Sequence, residues 1–191
     1  MAARRPVFTV VGMSFTTASA SLSDLADRRA AATPGAPCLA DSAAVLSNAD
    51  VRDRVHGVAR TFADLGVGRG DVVAVMLPNR VELLVALLAA WRLGAAVTPI
   101  NPALTPSEAQ HQLTDSGAKV LVNGDGSAGL TGVVSVAAGD LPTTAPDDLP
   151  GKTHPVVIYV PPPAVGRLAS HTWKASRWIR FRPPGSRTAG N

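Results

Sequence analysis

The chain has little sulfur and no apolar segment long enough for a membrane span. Cysteine occurs once among 191 residues, which excludes an intrachain disulfide framework and favours a reducing, cytoplasmic location. Cys38 stands in an apolar run without a second cysteine or a metal-ligand pattern, which indicates a packed small side chain rather than a nucleophile. The apolar run 81–93 is confined by Arg80, Glu82 and Arg92, so it is shorter than the roughly 20 residues that a span needs.

Candidate catalytic and metal-binding side chains are also scarce. His56 and His111 each stand alone, without a second imidazole or a carboxylate at ligand spacing, which indicates structural histidines that are hydrogen-bonded or exposed. Residues 124–132 are rich in glycine, but their spacing does not match a phosphate loop, and a flexible connection is predicted. Neither histidine is therefore predicted to be catalytic or to bind a metal.

Acidic residues are absent from the last 32 positions, 160–191. Six basic residues lie there, so this tail carries +6, whereas the rest of the chain holds the other 12 basic and all 14 acidic residues, a balance of −2. Trp173 and Trp178 lie in the tail without helical or strand periodicity. The basic residues are Arg167, Lys174, Arg177, Arg180, Arg182 and Arg187. A basic tail with interleaved aromatics is typical of a segment that binds nucleic acid or an anionic membrane, or of a disordered interaction segment.

Residues 46–102 carry the clearest pattern of secondary structure. Ser47 or Asn48 can cap a first helix, and Gly66 can end it in a left-handed conformation. An uninterrupted apolar strand, 72–77, is typical of a parallel sheet covered on both faces. Asn79 is the predicted cap of the helix 81–93, and a strand over 95–100 follows. The predicted core face of the first helix is Val51, Val55, Val58, Phe62 and Leu65.

The same signals extend to the flanking segments. They predict a helix over 22–32, a small hairpin from 38–40 and 44–46, and a helix that opens with Thr105 as cap and Pro106 at its first position. The core face of that last helix is predicted to be Leu104, Ala109 and Leu113. Further predicted strands are 119–123, 133–136 and 156–160, with a loop over 137–155. Helices that alternate with short apolar strands indicate an α/β layered fold with a mostly parallel sheet.

The order of short motifs resembles a known family. These motifs are Gly-x-Gly-x-Gly-Asp at 66–71, Leu-Pro-Asn at 77–79, Pro-Ile-Asn-Pro at 99–102 and Asp-Ser-Gly-Ala-Lys at 115–119. Together they resemble the N-terminal part of the adenylate-forming enzymes, the AMP-dependent synthetases and ligases that include acyl-CoA synthetases. The resemblance covers about 22–123. It implies a partial N-terminal subdomain over 21–159, preceded by an irregular lead-in, 1–20, that also mimics a short secretory signal, and followed by the tail 160–191.

The resemblance implies a chemistry and scaffold positions, but no site residue in this chain. Family members join a carboxylic acid to ATP with the help of Mg²⁺, and then pass the acyl group to a thiol, most often coenzyme A. No ATP, Mg²⁺ or CoA site is therefore expected in the chain itself, although the intact family uses all three. The matched positions are expected to be scaffold, and they are Gly68, Gly70, Pro78, Asn79, Gly94, Pro99 and Pro102.

The largest departure from the family pattern follows the predicted strand 156–160. The family has a phosphate loop there, rich in Thr, Ser and Gly with a lysine, whose backbone N–H groups converge on the ATP phosphates. This chain has Pro161, Pro162 and Pro163, which have no backbone N–H. The chain is therefore predicted to be a truncated, inactive relative that lacks the phosphate loop and the C-terminal lid. An out-of-frame reading of a GC-rich gene past Tyr159 would explain the abrupt change in composition.

Overall fold

A computed structural model describes residues 21–126 and 129–149 and the backbone of 157–158. The predicted lead-in 1–20 and tail 160–191 lie outside the described residues. A 3-10 turn, Leu22–Asp24, precedes the first helix. The helices are α1 Leu25–Ala32, α2 Asn48–Asp64, α3 Val81–Arg92 and α4 Pro106–Ser116. The strands are β1 Pro37–Ala40, β2 Val45–Ser47, β3 Val72–Met76, β4 Ala96–Pro99, β5 Val120–Asn123, β6 Val134–Ala137 and β7 Val157–Ile158.

Five of these strands form one parallel sheet. The strand order is β6-β5-β3-β4-β7, and every neighbouring pair is parallel. The strands β1 and β2 form the separate antiparallel hairpin that the sequence predicts. The α/β layered class with a mostly parallel sheet is therefore confirmed, as is a strand in the predicted segment 156–160.

Two helices cover one face of the sheet, which we call the α2/α3 face. The central strands direct valines to this face, where they pack with Val55, Val58 and Phe62 of α2. Phe62 and Val58 are fully buried, whereas Leu65 is 37% exposed, so the prediction of Leu65 as a core residue is wrong. The physical reason is that α2 ends at Asp64 and Leu65 is its C-cap, where the helical periodicity that assigned it to the core no longer holds.

Within the described residues, one helix covers the opposite face, which we call the α4 face. Ala109 and Leu113 of α4 are buried there against Val72, Ala74 and Leu121 of the sheet, and Leu104 packs beside them. Thr105 caps α4 and Glu108 completes a capping box, with Pro106 in the first turn. The predicted start and core face of this helix are confirmed. None of the helices in the described part of the chain is long and apolar enough to cross a membrane.

Local chemistry also sets both ends of α2. The Ser47 hydroxyl accepts from the Asp50 N–H at 3.2 Å, and the Asp50 carboxylate accepts from the Ser47 N–H at 2.9 Å. Ser47 rather than Asn48 is therefore the cap. Gly66 has φ +79°, a left-handed conformation that a Cβ would penalise. The predicted limits of this helix are thus confirmed to within a residue.

Candidate functional site

Ligands of open α/β sheets usually bind outside the carboxyl ends of the parallel strands. Asn123 ends β5 at this edge and is 1% exposed. Its Oδ1 accepts from the Gly126 N–H at 2.6 Å, which directs Nδ2 elsewhere, and Nδ2 has no hydrogen-bond partner in the described part of the chain. Thr98 of β4 is fully buried, and its Oγ1 also lacks a partner there. Both groups retain unused hydrogen-bonding capacity on the α4 face.

Strand β7 runs parallel to β4 and pairs with its first two residues. Val157 pairs with Ala96 and Ile158 pairs with Val97, in parallel. Because β7 is parallel to its neighbours, it is directed toward the carboxyl edge of the sheet, the edge at which the family pattern places the phosphate loop. The proline triplet 161–163 follows within three residues, and it lies outside the described residues.

The described residues do not fit a nucleotide triphosphate with its Mg²⁺, or coenzyme A. Asn123 and Thr98 have the unused polar groups at this end of the sheet, but both side chains are buried and cannot reach a phosphate in solvent. Asp125 follows β5 and Asp140 follows β6, so these loops bring negative charge, which repels phosphate. The described ranges contain no group of three or more His, Cys, Asp or Glu residues able to hold a metal ion.

The glycine motif before β3 forms a turn that contacts two other connections, the one before β4 and the one before β5. The Gly68 N–H donates to Asp71 Oδ2 at 2.8 Å, and the Gly70 N–H donates to the Gly94 carbonyl at 3.1 Å. Lys119 Nζ lies 2.9 Å from the same Asp71 oxygen. The residues Asp71 and Lys119 belong to two different family motifs, 48 positions apart, and meet here in an ion pair. This contact gives both motifs a structural role, and the sequence offered no signal that they pair.

The predicted cap at Asn79 is wrong. Arg80 is the N-cap residue of α3 and makes no side-chain capping bond. The Val81 N–H instead donates to Asp41 Oδ2 at 3.0 Å, so the β1–β2 hairpin caps α3 from 40 positions away. Backbone donors, chiefly Val81 and then Ala43 and Ala44, hold the pKa of the Asp41 carboxyl below its usual value.

The sequence predicts that His56 stands alone, without a carboxylate at ligand spacing. In the structure it is hydrogen-bonded to a carboxylate of another helix. Its Nε2 lies 2.6 Å from Asp27 Oδ1, and Arg92 donates to Asp27 Oδ2 at 2.7 Å. One carboxylate of α1 thus joins the imidazole of α2 to the guanidinium of α3, with the side chains of His56 and Arg92 8% and 4% exposed. Burial lowers the pKa of His56, and the Asp27 hydrogen bond only partly opposes this effect.

The remaining single candidates lie on α4, in β1 and around β4. His111 is exposed on α4. Cys38 is half-buried in β1 and packs against the core of the α2/α3 face. Pro99 ends β4 in register with Val75, and Gly94, with φ +73°, turns the chain between α3 and β4. Pro99 and Gly94 thus lie in the sheet and in one of its connections, and their scaffold role stays a prediction.

Comparisons with known proteins agree with this architecture. A long-chain-fatty-acid-CoA ligase of Escherichia coli O157:H7 is 35% identical over 53% of this chain and 18% of that protein. The solved Mycobacterium tuberculosis fatty acyl CoA synthetase superposes with a TM-score of 0.51 and 29% identity, over 53% of this chain and 21% of that one.

A plant enzyme gives a further match. The 4-coumarate-CoA ligase 5 of Oryza sativa subsp. japonica is 43% identical over 121 residues, which are 60% of this chain and 22% of that protein. The chain thus spans about a fifth of the length of these relatives. The family model described as AMP-binding enzyme matches residues 26–176. The chain belongs to the AMP-binding enzyme family, as the motif order suggested.

Proposed function

We propose that this 191-residue chain is a relative of the ATP-dependent carboxylic acid:CoA ligases that does not form an acyl-adenylate itself. In the complete reaction, a carboxylate oxygen attacks the α-phosphorus of ATP to give acyl-AMP and pyrophosphate. The thiol of coenzyme A then attacks the acyl carbon, which gives the thioester and releases AMP. Membership of the family supports the ancestry, and three prolines after β7 support the loss of the first step.

The proline triplet is the observation that carries this proposal. A triphosphate is held largely by backbone N–H groups that point into a glycine-rich loop. Three consecutive prolines offer carbonyl acceptors but no N–H donor, and a carbonyl oxygen repels phosphate oxygen. The loop position after β7 therefore has the opposite hydrogen-bonding character from the one that ATP requires.

Equilibrium dialysis of the full chain against radiolabelled ATP with Mg²⁺ tests the proposal. We expect no saturable retention of ATP and no release of pyrophosphate with a panel of aromatic and aliphatic carboxylic acids. A full-length 4-coumarate-CoA ligase in the same buffers is the positive control. Saturable ATP binding to the 191-residue chain, or pyrophosphate release that depends on an added acid, would overturn the proposal.

The basic tail supports a second candidate function, a non-catalytic interaction protein. Its six basic residues with two tryptophans and no acidic residue suit a polyanion, either nucleic acid or an anionic membrane. The same protein preparation, with and without residues 160–191, distinguishes the candidates. Retention on single-stranded DNA or on phosphatidylserine vesicles that weakens with salt and needs the tail would favour this second function.

A further inference from the structure

The chain that joins β6 to β7 crosses over α2. The two strands lie at opposite edges of the sheet, so the connection between them must pass over one face. Leu141 is 7% exposed and packs in the core of the α2/α3 face. Farther along, Asp148 Oδ2 accepts from Arg60 at 2.6 Å. The segment 141–148, which we call the crossover strap, therefore runs along the outer surface of α2.

The backbone of the crossover strap passes close to α2 at Gly57. A Cβ built on Gly57 would lie 2.5 Å from the Thr144 carbonyl oxygen and 2.7 Å from Pro142 Cβ. Both distances are far below normal van der Waals separation, and both neighbours belong to backbone or to a rigid ring. No rotation of a flexible side chain can relieve such an overlap, so any residue larger than glycine must push the strap away from the helix.

Helix propensity gives no reason for a glycine at this position. Gly57 lies inside the 17-residue helix α2, where glycine costs about 1 kcal/mol relative to alanine. Residues on either side, Val55, Val58 and Ala59, are buried in the core, so α2 itself is well packed here. The close passage of the crossover strap is the feature of the structure that requires the missing side chain.

We propose that Gly57 is a notch in α2 that fixes the path of the crossover strap and thereby positions β7 beside β4. This inference rests on the proposed function in one respect, since β7 is the strand that the family's phosphate loop follows. Gly57 is a positioning residue in this view, because it touches the strap and not a ligand. Its test measures strand pairing rather than nucleotide binding, so the two proposals can fail separately.

Hydrogen exchange of the full chain with Gly57→Ala, measured by mass spectrometry of peptides, tests the notch. We expect exchange at least tenfold faster in peptides 94–100 and 155–160, because β4 and β7 lose their pairing. Exchange in peptide 118–124 should stay unchanged, since β5 pairs with β3 and β6 and not with β7. Peptides within α2 should exchange no faster, because alanine favours a helix more than glycine does.

Gly139→Ala is the matched control. Gly139 lies in the same connection, and a Cβ there would have no atom within 4 Å, so its exchange pattern should equal that of the wild type. If Gly57→Ala accelerates exchange throughout the chain, Asp148→Asn replaces it as the test. That variant removes only the exposed ion pair to Arg60 and should accelerate the same two peptides about twofold. Unchanged exchange in both peptides, in either deciding variant, would overturn the proposal.

Discussion

The two faces of the parallel sheet differ in depth and in polarity. On the α2/α3 face the strands direct only apolar side chains inward, and two helices cover them. On the α4 face one helix covers a smaller apolar cluster, and the strands bury Thr98 and Asn123 among it. The valines of the α2/α3 face are Val73, Val75, Val97, Val120 and Val122.

This difference shows which face contributes most to stability. A buried polar atom without a partner costs roughly 1 to 3 kcal/mol, and unpartnered side-chain atoms occur at Thr98 and Asn123 of the described strands. No strand side chain that faces α2 and α3 is of this kind, and α1 adds a third layer there. On the helix side, Trp91 Nε1 and Arg92 Nε of α3 also lack a partner within the described residues, but the apolar cluster on this face is much the larger one. The α2/α3 face is therefore the stabilising core of the chain, whereas the α4 face combines a shallow core with unused hydrogen-bonding capacity.

The largest expected effect is on the free energy of unfolding, when one buried side chain on each face is truncated to alanine. Phe62→Ala on the α2/α3 face should lower the free energy of unfolding by about 3 to 5 kcal/mol, because a fully buried ring leaves a large cavity. Leu113→Ala on the α4 face should cost about 2 to 3 kcal/mol, because a site covered by a single helix can collapse more easily. Urea unfolding followed by far-UV circular dichroism measures both. A cost for Leu113→Ala equal to that for Phe62→Ala would contradict the comparison.

The elements of both faces were predictable where the signal is local. A hydroxyl before the helix and a carboxylate three residues later define the starts of α2 at Ser47 and of α4 at Thr105. Gly66 similarly marks the end of α2. The apolar run 72–77 predicts a strand buried on both sides because every residue must face one layer or the other. Such signals need only a few neighbouring residues, so the fold class follows from them.

Contacts between distant segments could not be predicted in this way. Asp41 caps α3, and Asp71 pairs with Lys119, yet no local pattern distinguishes these carboxylates from others in turns. The unpartnered amide of Asn123 has no local signature either. The candidate site is predicted only as a location, the end of β7, because its chemistry depends on residues after 159. Local sequence patterns therefore predict the secondary structure of this chain but not its tertiary contacts.

A second comparison exchanges the polarity of neighbouring residues on β4. Val97 faces the α2/α3 core and Thr98 faces the α4 side, and both are fully buried. Val97→Thr should cost about 1 to 3 kcal/mol, because it buries a hydroxyl without a partner. Thr98→Val should instead raise the free energy of unfolding by about 1 kcal/mol, because it removes such a hydroxyl at nearly constant volume.

The two β4 variants are each other's control, since they make opposite changes at adjacent positions of one strand. Urea unfolding of both proteins and of the wild type gives the two differences with their signs. A loss of stability in Thr98→Val would show that its hydroxyl is hydrogen-bonded in solution, and the polar character of the α4 face would then need another explanation.

The smallest expected effect concerns the buried ionic cluster that lies on the α2/α3 side. The groups that face His56 are Asp27 of α1, Arg92 of α3 and Arg52 of α2. Since burial lowers the pKa of His56 below the ordinary value of 6.5, the folded chain binds fewer protons than the unfolded chain. The contribution of this group is therefore complete above about pH 6.5 and is lost as the pH falls through the lower pKa of the folded state.

His56→Gln tests this sign, because glutamine keeps an amide donor for Asp27 but does not titrate. The free energy of unfolding of the wild type should fall between pH 7.5 and 5.5 more steeply than that of the variant, by less than about 1.4 kcal/mol per pH unit. His111→Gln is the matched control, since His111 is exposed, and it should leave the slope unchanged. If His56→Gln has the wild-type slope, the imidazole titrates alike in both states, and the acid sensitivity of the chain must come from its carboxylates.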